Sequence, residues 1–226
     1  MLLLSVDTCD SAGSAAVMEN TRLLGEINIE SPLTHSERLM AAVDFLLREL
    51  DLDLSRIDGY ALASGPGSFT GIRIGMSTVK ALSYSFSKPI APVSRLHALA
   101  FKLYGSGARL ICPFLDAKKN EVYAALYEKK ENGLQLAVPE CAYSPDDFLT
   151  RLPGRRVIHF IGSGTHGYRD KIRRYCYDKA RISRRSSFVA GEIGRLGYEM
   201  IKKNQGVDNR EVVPFYLRKP QAEEKH

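Results

Sequence analysis

Two apolar runs, each closed by an aspartate and each followed by a turn and a returning apolar run, most narrow what this chain can fold into. The first is Leu2-Leu3-Leu4-Ser5-Val6 ending in Asp7, with Ala15-Ala16-Val17 after it. The second is Arg109-Leu110-Ile111-Cys112-Pro113-Phe114-Leu115 ending in Asp116, with a turn at Ala117 to Asn120 and a strand at Glu121 to Tyr127. In the first half Leu2 to Val6, Ser14 to Met18 and Leu23 to Ile29 read as three strands, with turns carrying Gly13 and Glu19-Asn20. A helix follows from near Thr34, where Thr34 and Glu37 stand in the T-x-x-E relation of a capping box. Leu39, Val43, Leu46, Leu47 and Leu50 give it one apolar stripe. A strand at 59–63, a helix at 72–86, a strand from Pro89 to Val93 and a helix from Ser94 to about Tyr104 complete the half. The order βββαβαβα predicts a mixed sheet with helices packed on it.

The second half repeats the scheme with a strand at Leu134 to Val138, a helix at Ser144 to Leu152 and a strand at Val157 to Ile161. A Gly162-Ser163-Gly164 turn and another helix follow. Residue identity between the halves is slight, so the repeat is architectural. It predicts two βββαβα-type α/β halves, 1–105 and 106–226, with a cleft between them.

At 226 residues either half can bury an adequate core. Hydrophobic content of 44% is ordinary for a soluble globular chain. The N-terminal run is too short for a signal h-region and lacks a basic n-region, and no stretch approaches the roughly 20 apolar residues of a membrane span. A cytoplasmic protein without membrane contact is expected. Cys9, Cys112, Cys141 and Cys176 lie far apart with no C-x-x-C pair, which suits reduced thiols and neither a zinc site nor a disulfide framework.

Between the strand Tyr60-Ala61-Leu62-Ala63 and the helix from Met76 to Phe86 runs Ser64-Gly65-Pro66-Gly67-Ser68-Phe69-Thr70-Gly71-Ile72-Arg73-Ile74-Gly75. Its glycines allow a sharp strand-to-helix turn, with amides at a helix N-terminus. Such a turn either holds an anion or lets strand and helix pack closely. The spacing G-x-G-x-x-x-G is one residue too long for a dinucleotide fingerprint, and no Gly-Lys-Ser or Gly-Lys-Thr supplies a P-loop lysine.

Asp7 and Asp116, at the ends of matched strands, either hold a metal–phosphate or cap turns through Asx hydrogen bonds. Asp7, Gly65, Gly67, Ser68 and Gly71 are the residues of a possible vestigial nucleotide cleft. Lys118-Lys119-Asn120 lacks glycines, so capping is favoured for Asp116. His35, His97, His159, His166 and His226 form neither H-x-x-x-H nor H-E-x-x-H, and Ser68 has no G-x-S-x-G elbow and no evident histidine base. No metal site is expected. In the helix at 72–86, Gly71 and Gly75 are four apart, as are Ser77, Ala81 and Ser85, which permits close approach of another backbone within the protein or across an interface. Met40, Ile72, Met76 and Tyr84 could supply apolar surface around it.

Charge is uneven. From Arg151 to Arg185 there are eleven Lys or Arg against two Asp, a net of about nine positive charges against +6 for the whole chain. That is the footprint of nucleic-acid contact or of a solvated helix face. Tyr168, Tyr175 and Tyr177 are interleaved. Arg169, Lys171, Arg173, Arg174, Arg184 and Arg185 are the candidates for RNA contact.

Several blocks occur in a telling order: Val6-Asp7-Thr8, Thr34-His35-Ser36-Glu37-Arg38-Leu39, Ser64 to Gly75, and Val93-Ser94 with Leu96 and Ala98-Leu99-Ala100. After them come Leu115-Asp116-Ala117 with Glu121-Val122-Tyr123, then Pro214-Phe215-Tyr216-Leu217-Arg218 with Pro220 and Ala222-Glu223. Together they resemble the TsaB (YeaZ) family of tRNA threonylcarbamoyladenosine (t6A) synthesis, densely over residues 1–128, thinly over 130–210, and again at the tail. The resemblance implies an actin-like (ASKHA) α/β fold made of duplicated ribonuclease-H-like halves. It also implies a non-catalytic relative of TsaD, the transferase that places threonylcarbamoyl on adenosine 37 of tRNAs reading codons that begin with A. His35 matches the first histidine of TsaD's H-x-x-x-H metal motif, and Leu39 stands where the second would be. The implied partners are TsaD directly, the ATPase TsaE through the complex, a second copy of the chain when alone, and tRNA as substrate of the complex. ATP and metal then belong to the partner subunits, and the chain has no cofactor of its own. The implied partner helices are 37–50 and 71–86, with Leu39, Val43, Leu46, Gly71, Gly75 and Met76 forming or supporting the face. A bulky charge at Gly75 is expected to abolish TsaD binding while leaving the monomer folded.

Overall fold

A strand that is apolar on both faces needs cover on both, and β1 (Leu2–Asp7) is buried along nearly its whole length. In the structure, a computed structural model describing residues 1–30 and 35–218 (the side chains of 35–38 excepted), it lies at the centre of a five-stranded sheet. The neighbours are β2 (Ala12–Glu19) and β3 (Arg22–Glu30) on one side, β4 (Gly59–Gly65) and β5 (Ile90–Ser94) on the other, in the order β3-β2-β1-β4-β5. β1 pairs antiparallel to β2 and parallel to β4. The second sheet, from β6 (Leu110–Lys118), β7 (Glu121–Lys130), β8 (Gly133–Tyr143), β9 (Ile158–Ile161) and β10 (Ala180–Ile182), has the order β8-β7-β6-β9-β10 with the same pattern of pairing. The doubled strand–aspartate pattern is thus a doubled topology.

The helices are α1 (His35–Glu49), α2 (Phe69–Phe86), α3 (Arg95–Phe101), α4 (Pro145–Thr150), α5 (Gly164–Gly167), α6 (Arg169–Cys176) and α7 (Ala190–Lys202). One face of the first sheet, with Leu4, Val6, Val17 and Leu62, packs against Leu39, Val43 and Leu46 of α1 and Met76 and Val79 of α2. In the second sheet Leu110, Phe114, Leu126 and Phe160 pack against Phe148 of α4 and Ile172 of α6. The capping box at Thr34 and Glu37 falls outside the described side chains. Ser144 does cap α4, accepting from Asp147 N at 3.2 Å. Among the described residues no helix is long and apolar enough to cross a membrane.

Sequence periodicity gave no sign of α7 or β10. Helix α7 carries Gly191, Gly194 and Gly197, and glycine disfavours helix. These glycines seat it on the first sheet's other face: a Cβ at Gly194 would meet Met18 Cγ at 2.5 Å, and one at Gly197 would meet Ala61 Cβ at 2.5 Å. Ser5 Oγ donates to Ala190 O at 2.8 Å. The expected division into 1–105 and 106–226 is corrected accordingly. One compact unit comprises residues 1–98 with 188–216, and the other comprises 99–187 with Leu217 and Arg218.

Within the first core the Tyr60 hydroxyl is buried with no partner among the described residues, and burial pushes its pKa up to about 12. An unmade buried hydrogen bond costs about 1–3 kcal/mol. Tyr60→Phe is therefore expected to raise the urea midpoint, and a lowered midpoint would show that the hydroxyl is satisfied.

Candidate functional site

The glycine turn lies between β4 and α2, and several of its polar groups are engaged within the chain. Ser68 N donates to Cys9 O at 2.7 Å, and Ser68 Oγ accepts from Gly71 N at 3.2 Å as the cap of α2. Gly67 lies so close to Cys9 that a Cβ would stand 2.1 Å from Cys9 O. Gly65 has φ +128°, and a Cβ there would meet Phe215 O at 2.4 Å. Residues 212–216 strap this turn. Phe215 N donates to Ser64 O at 2.8 Å, Phe69 and Tyr216 have ring centroids 4.6 Å apart, and Arg73 Nε donates to the Tyr216 hydroxyl at 3.0 Å. Of the two uses of such a turn, the geometry is that of close packing.

Asp7 lies at the end of β1, 2% exposed. It accepts from Cys9 N at 2.9 Å, closing an Asx turn, and its other oxygen accepts from Arg95 Nε at 2.9 Å. Arg95 is 3% exposed and also reaches Asp10 Oδ2 at 3.4 Å through both terminal nitrogens. Burial works against the guanidinium charge, but Asp7, Cys9 and Asp10 together raise its pKa further above the usual arginine value. The same surroundings, burial first and Asp7 next, push the Cys9 thiol well up. A carboxylate already paired with a buried arginine is not a ligand for a metal–phosphate, so Asp7, Gly65, Gly67, Ser68 and Gly71 do not fit one. Asp116 repeats the Asx turn in the second unit, accepting from Lys118 N at 2.8 Å. Among the described residues no group of three or more His, Cys, Asp or Glu is placed to hold a metal ion. The side chain of His35 is outside the described set, and Leu39 is buried in the core.

Sequence reasoning missed Arg95. Its signal was a lone cation in the apolar stretch from Ile90 to Ala100, with no acid on its own helix.

The six residues assigned to a partner face point inward. Leu39, Val43, Leu46 and Met76 belong to the first core, and Gly71 and Gly75 are buried. A Cβ at Gly75 would meet Thr8 Oγ1 at 2.4 Å, and that hydroxyl donates to Gly71 O at 2.7 Å. The expectation that a bulky charge at Gly75 spares the fold is therefore corrected: it would lift α2 from β1. The outward residues of the same helices include Met40 (43% exposed), Phe45 (51%) and Tyr84 (77%).

In the second unit the six cations proposed for tRNA come from two segments of the chain. Arg169, Lys171, Arg173 and Arg174 ride on α6, where Lys171 pairs with Asp146 at 2.6 Å. Arg184 and Arg185 follow β10, and Arg185 Nη1 donates to Lys102 O at 2.5 Å.

The sequence matches the family model described as TsaD, tRNA N6-adenosine threonylcarbamoyltransferase, over residues 30–225. It is 32% identical over 234 residues to the tRNA threonylcarbamoyladenosine biosynthesis protein TsaB of Bacillus subtilis, covering 100% of this chain and 97% of that one. Among solved structures, YeaZ from Pseudomonas aeruginosa superposes with a TM-score of 0.80 at 29% identity, over 95% of this chain and 100% of the other. A ROK hexokinase from Thermus thermophilus superposes at 0.55 with 13% identity, over 89% of this chain and 100% of the other, a likeness of fold alone. With the two matched sheets, these likenesses identify the fold as the duplicated ribonuclease-H-like type of the actin-like proteins.

Proposed function

The chain belongs to the TsaB family of tRNA threonylcarbamoyladenosine biosynthesis proteins, and from that membership we propose that it is a non-catalytic subunit that activates the transferase TsaD. The observation that carries this reading is the Arg95–Asp7 pair. The carboxylate best placed to face a metal–phosphate is neutralised inside its own unit. The strapped glycine turn supports the same reading, since its Ser68 amide donates to Cys9 O, its Ser64 carbonyl accepts from Phe215 N, and Cys9 and Phe215 fill the space beside Gly67 and Gly65. ATP and metal are then supplied by TsaD and the ATPase TsaE, and the product is t6A at adenosine 37.

In this reading the contact with TsaD is made by the outer faces of α1 and α2. Met40, Phe45 and Tyr84 provide exposed apolar surface there, while Leu39, Val43, Leu46 and Met76 hold the helices from within. The small exposed residues Ser77 and Ala81 let another helix approach α2. Without TsaD, a second copy of the chain takes the same face.

Phe45→Glu combined with Tyr84→Glu is expected to weaken TsaD binding at least about thirty-fold, the loss of one interface hot spot. Because both side chains are exposed, stability should change by no more than about 0.5 kcal/mol. Titration calorimetry with TsaD measures the first quantity and urea unfolding the second. Full affinity in the double variant would remove these helices from the interface.

A further inference from the structure

The amino-terminal ends of β6, β9 and β10 carry exposed cations that the functional reading does not use. β9 sends Ile158 and Phe160 into the core, so Val157 and His159 face the other way, and alternation puts Arg109 on β6's approach and Arg181 of β10 on that same side. Arg181 is in register with His159, and His159 with Ile111. Lys129 N donates to Arg109 O at 2.8 Å, which brings β7 to the same row. Here a recess of about 280 Å³ is lined by Gly107, Arg109, Leu110, Arg156, Val157 and His159. It opens at the amino-terminal ends of the parallel strands β6, β9 and β10.

Several charges in and around it are uncommitted. Arg156 pairs with Glu128 at 2.6 Å and Lys179 with Asp178 at 2.9 Å. Arg109 and Arg155 are exposed and have no carboxylate partner among the described residues, and Arg181 Nη1 donates only to the carbonyls of Asp178 and Ala180. Burial, and then the charge of Arg181, lower the His159 pKa, so the imidazole is neutral and open to hydrogen bonding near neutral pH.

A second observation comes from the backbone. Tyr177 joins α6 to the segment leading into β10, at this same end of the sheet. It holds φ 48° and ψ −129°, a conformation that glycine normally supplies at the first central position of a type II′ turn. Its side chain is nonetheless 74% exposed, and its ring stacks on no other among the described residues. A bulky aromatic held in a costly conformation and displayed to solvent beside arginines points to a use outside the fold. Aromatic faces among cations are what unpaired RNA bases and their phosphates recognise.

We propose that the Arg109–His159 recess, with Arg181 on the adjoining strand and Tyr177 before it, binds RNA, the arginines on backbone phosphates and the Tyr177 ring on an unstacked base. That the RNA is the tRNA substrate rests on the t6A reading. The α6 cations Arg169 and Arg173 then add only diffuse attraction.

The test is fluorescence anisotropy of labelled unmodified tRNA with the full chain across a salt series, with inorganic polyphosphate as a second probe. Arg109→Ala with Arg181→Ala is expected to make the slope of log affinity against log salt shallower by about 0.7–0.9 for each phosphate no longer neutralised. Tyr177→Gly suits the backbone, so its thermal midpoint should hold or rise. Its tRNA affinity should nevertheless fall about ten-fold, the order of one base stack, with polyphosphate binding unchanged. Wild-type tRNA affinity in the Tyr177→Gly and double-arginine variants would overturn the proposal, as would binding to phosphatidylserine vesicles with none to tRNA. Both variants should still bind TsaD. Loss of RNA affinity with TsaD pairing kept supports this site, whereas a wild-type chain that fails to pair with TsaD refutes the subunit reading separately.

Discussion

Arg95→Ala is expected to cost about 3–5 kcal/mol, the penalty for leaving one member of a buried ion pair alone. Asp7, 2% exposed, would keep only the Cys9 amide to stabilise its charge, and Asp10 would lose the guanidinium it shares with Asp7. Against a total stability of about 5–15 kcal/mol for a native domain, that loss is between about a fifth and all of it. Urea unfolding measures the loss. Asp7→Asn with Arg95→Met removes both charges and should recover much of the stability, since a buried pair replaced together is often close to neutral. A loss below about 1 kcal/mol in the single variant would mean that the pair is hydrated and that Asp7 remains available to a ligand.

The second large effect is expected at Gly67. An added Cβ would meet Cys9 O at 2.1 Å, Cys9 Cβ at 2.7 Å and Cys9 C at 2.9 Å. Cys9 cannot move aside cheaply, because its amide is held by Asp7 and its carbonyl by Ser68 N. Gly67→Ala should therefore lie at the upper end of the roughly 1–3 kcal/mol range for overpacking. Gly154→Ala, where a Cβ meets nothing within 4 Å, is the control and should stay within about 0.5 kcal/mol. Differential scanning calorimetry separates the two, at about 2–4 °C per kcal/mol for a chain of this size. Equal midpoints would contradict the packing role of the turn and reopen it as an anion cradle.

The architecture was legible in sequence where local pattern and tertiary role coincide. Leu2 to Asp7 and Leu110 to Asp116 are apolar because each is the central strand of a sheet, and their aspartates close equivalent Asx turns. Helix α7 was not legible, because the glycines that let it touch Met18 and Ala61 are the residues that hide a helix from propensity. The stripe Leu39, Val43, Leu46 could not by itself say whether it faces a partner or the chain's own sheet, and the sheet proved to be the answer. The pairing of Arg95 was hidden from local pattern because its partners, Asp7 and Asp10, lie 88 and 85 residues away. The basic run from Arg151 to Arg185 was visible as composition. Its division between α6 and the far face of the second sheet depends on strand alternation, as does the entry of Arg109 from outside the run.

The most direct measurement is a reconstituted threonylcarbamoylation assay with unmodified tRNA, TsaD, TsaE and a supply of threonylcarbamoyl-adenylate, run with and without this chain. The subunit reading predicts product only when the chain is present with TsaD, and none from the chain alone. Equal product from TsaD in its absence, or product from the chain without TsaD, would contradict it.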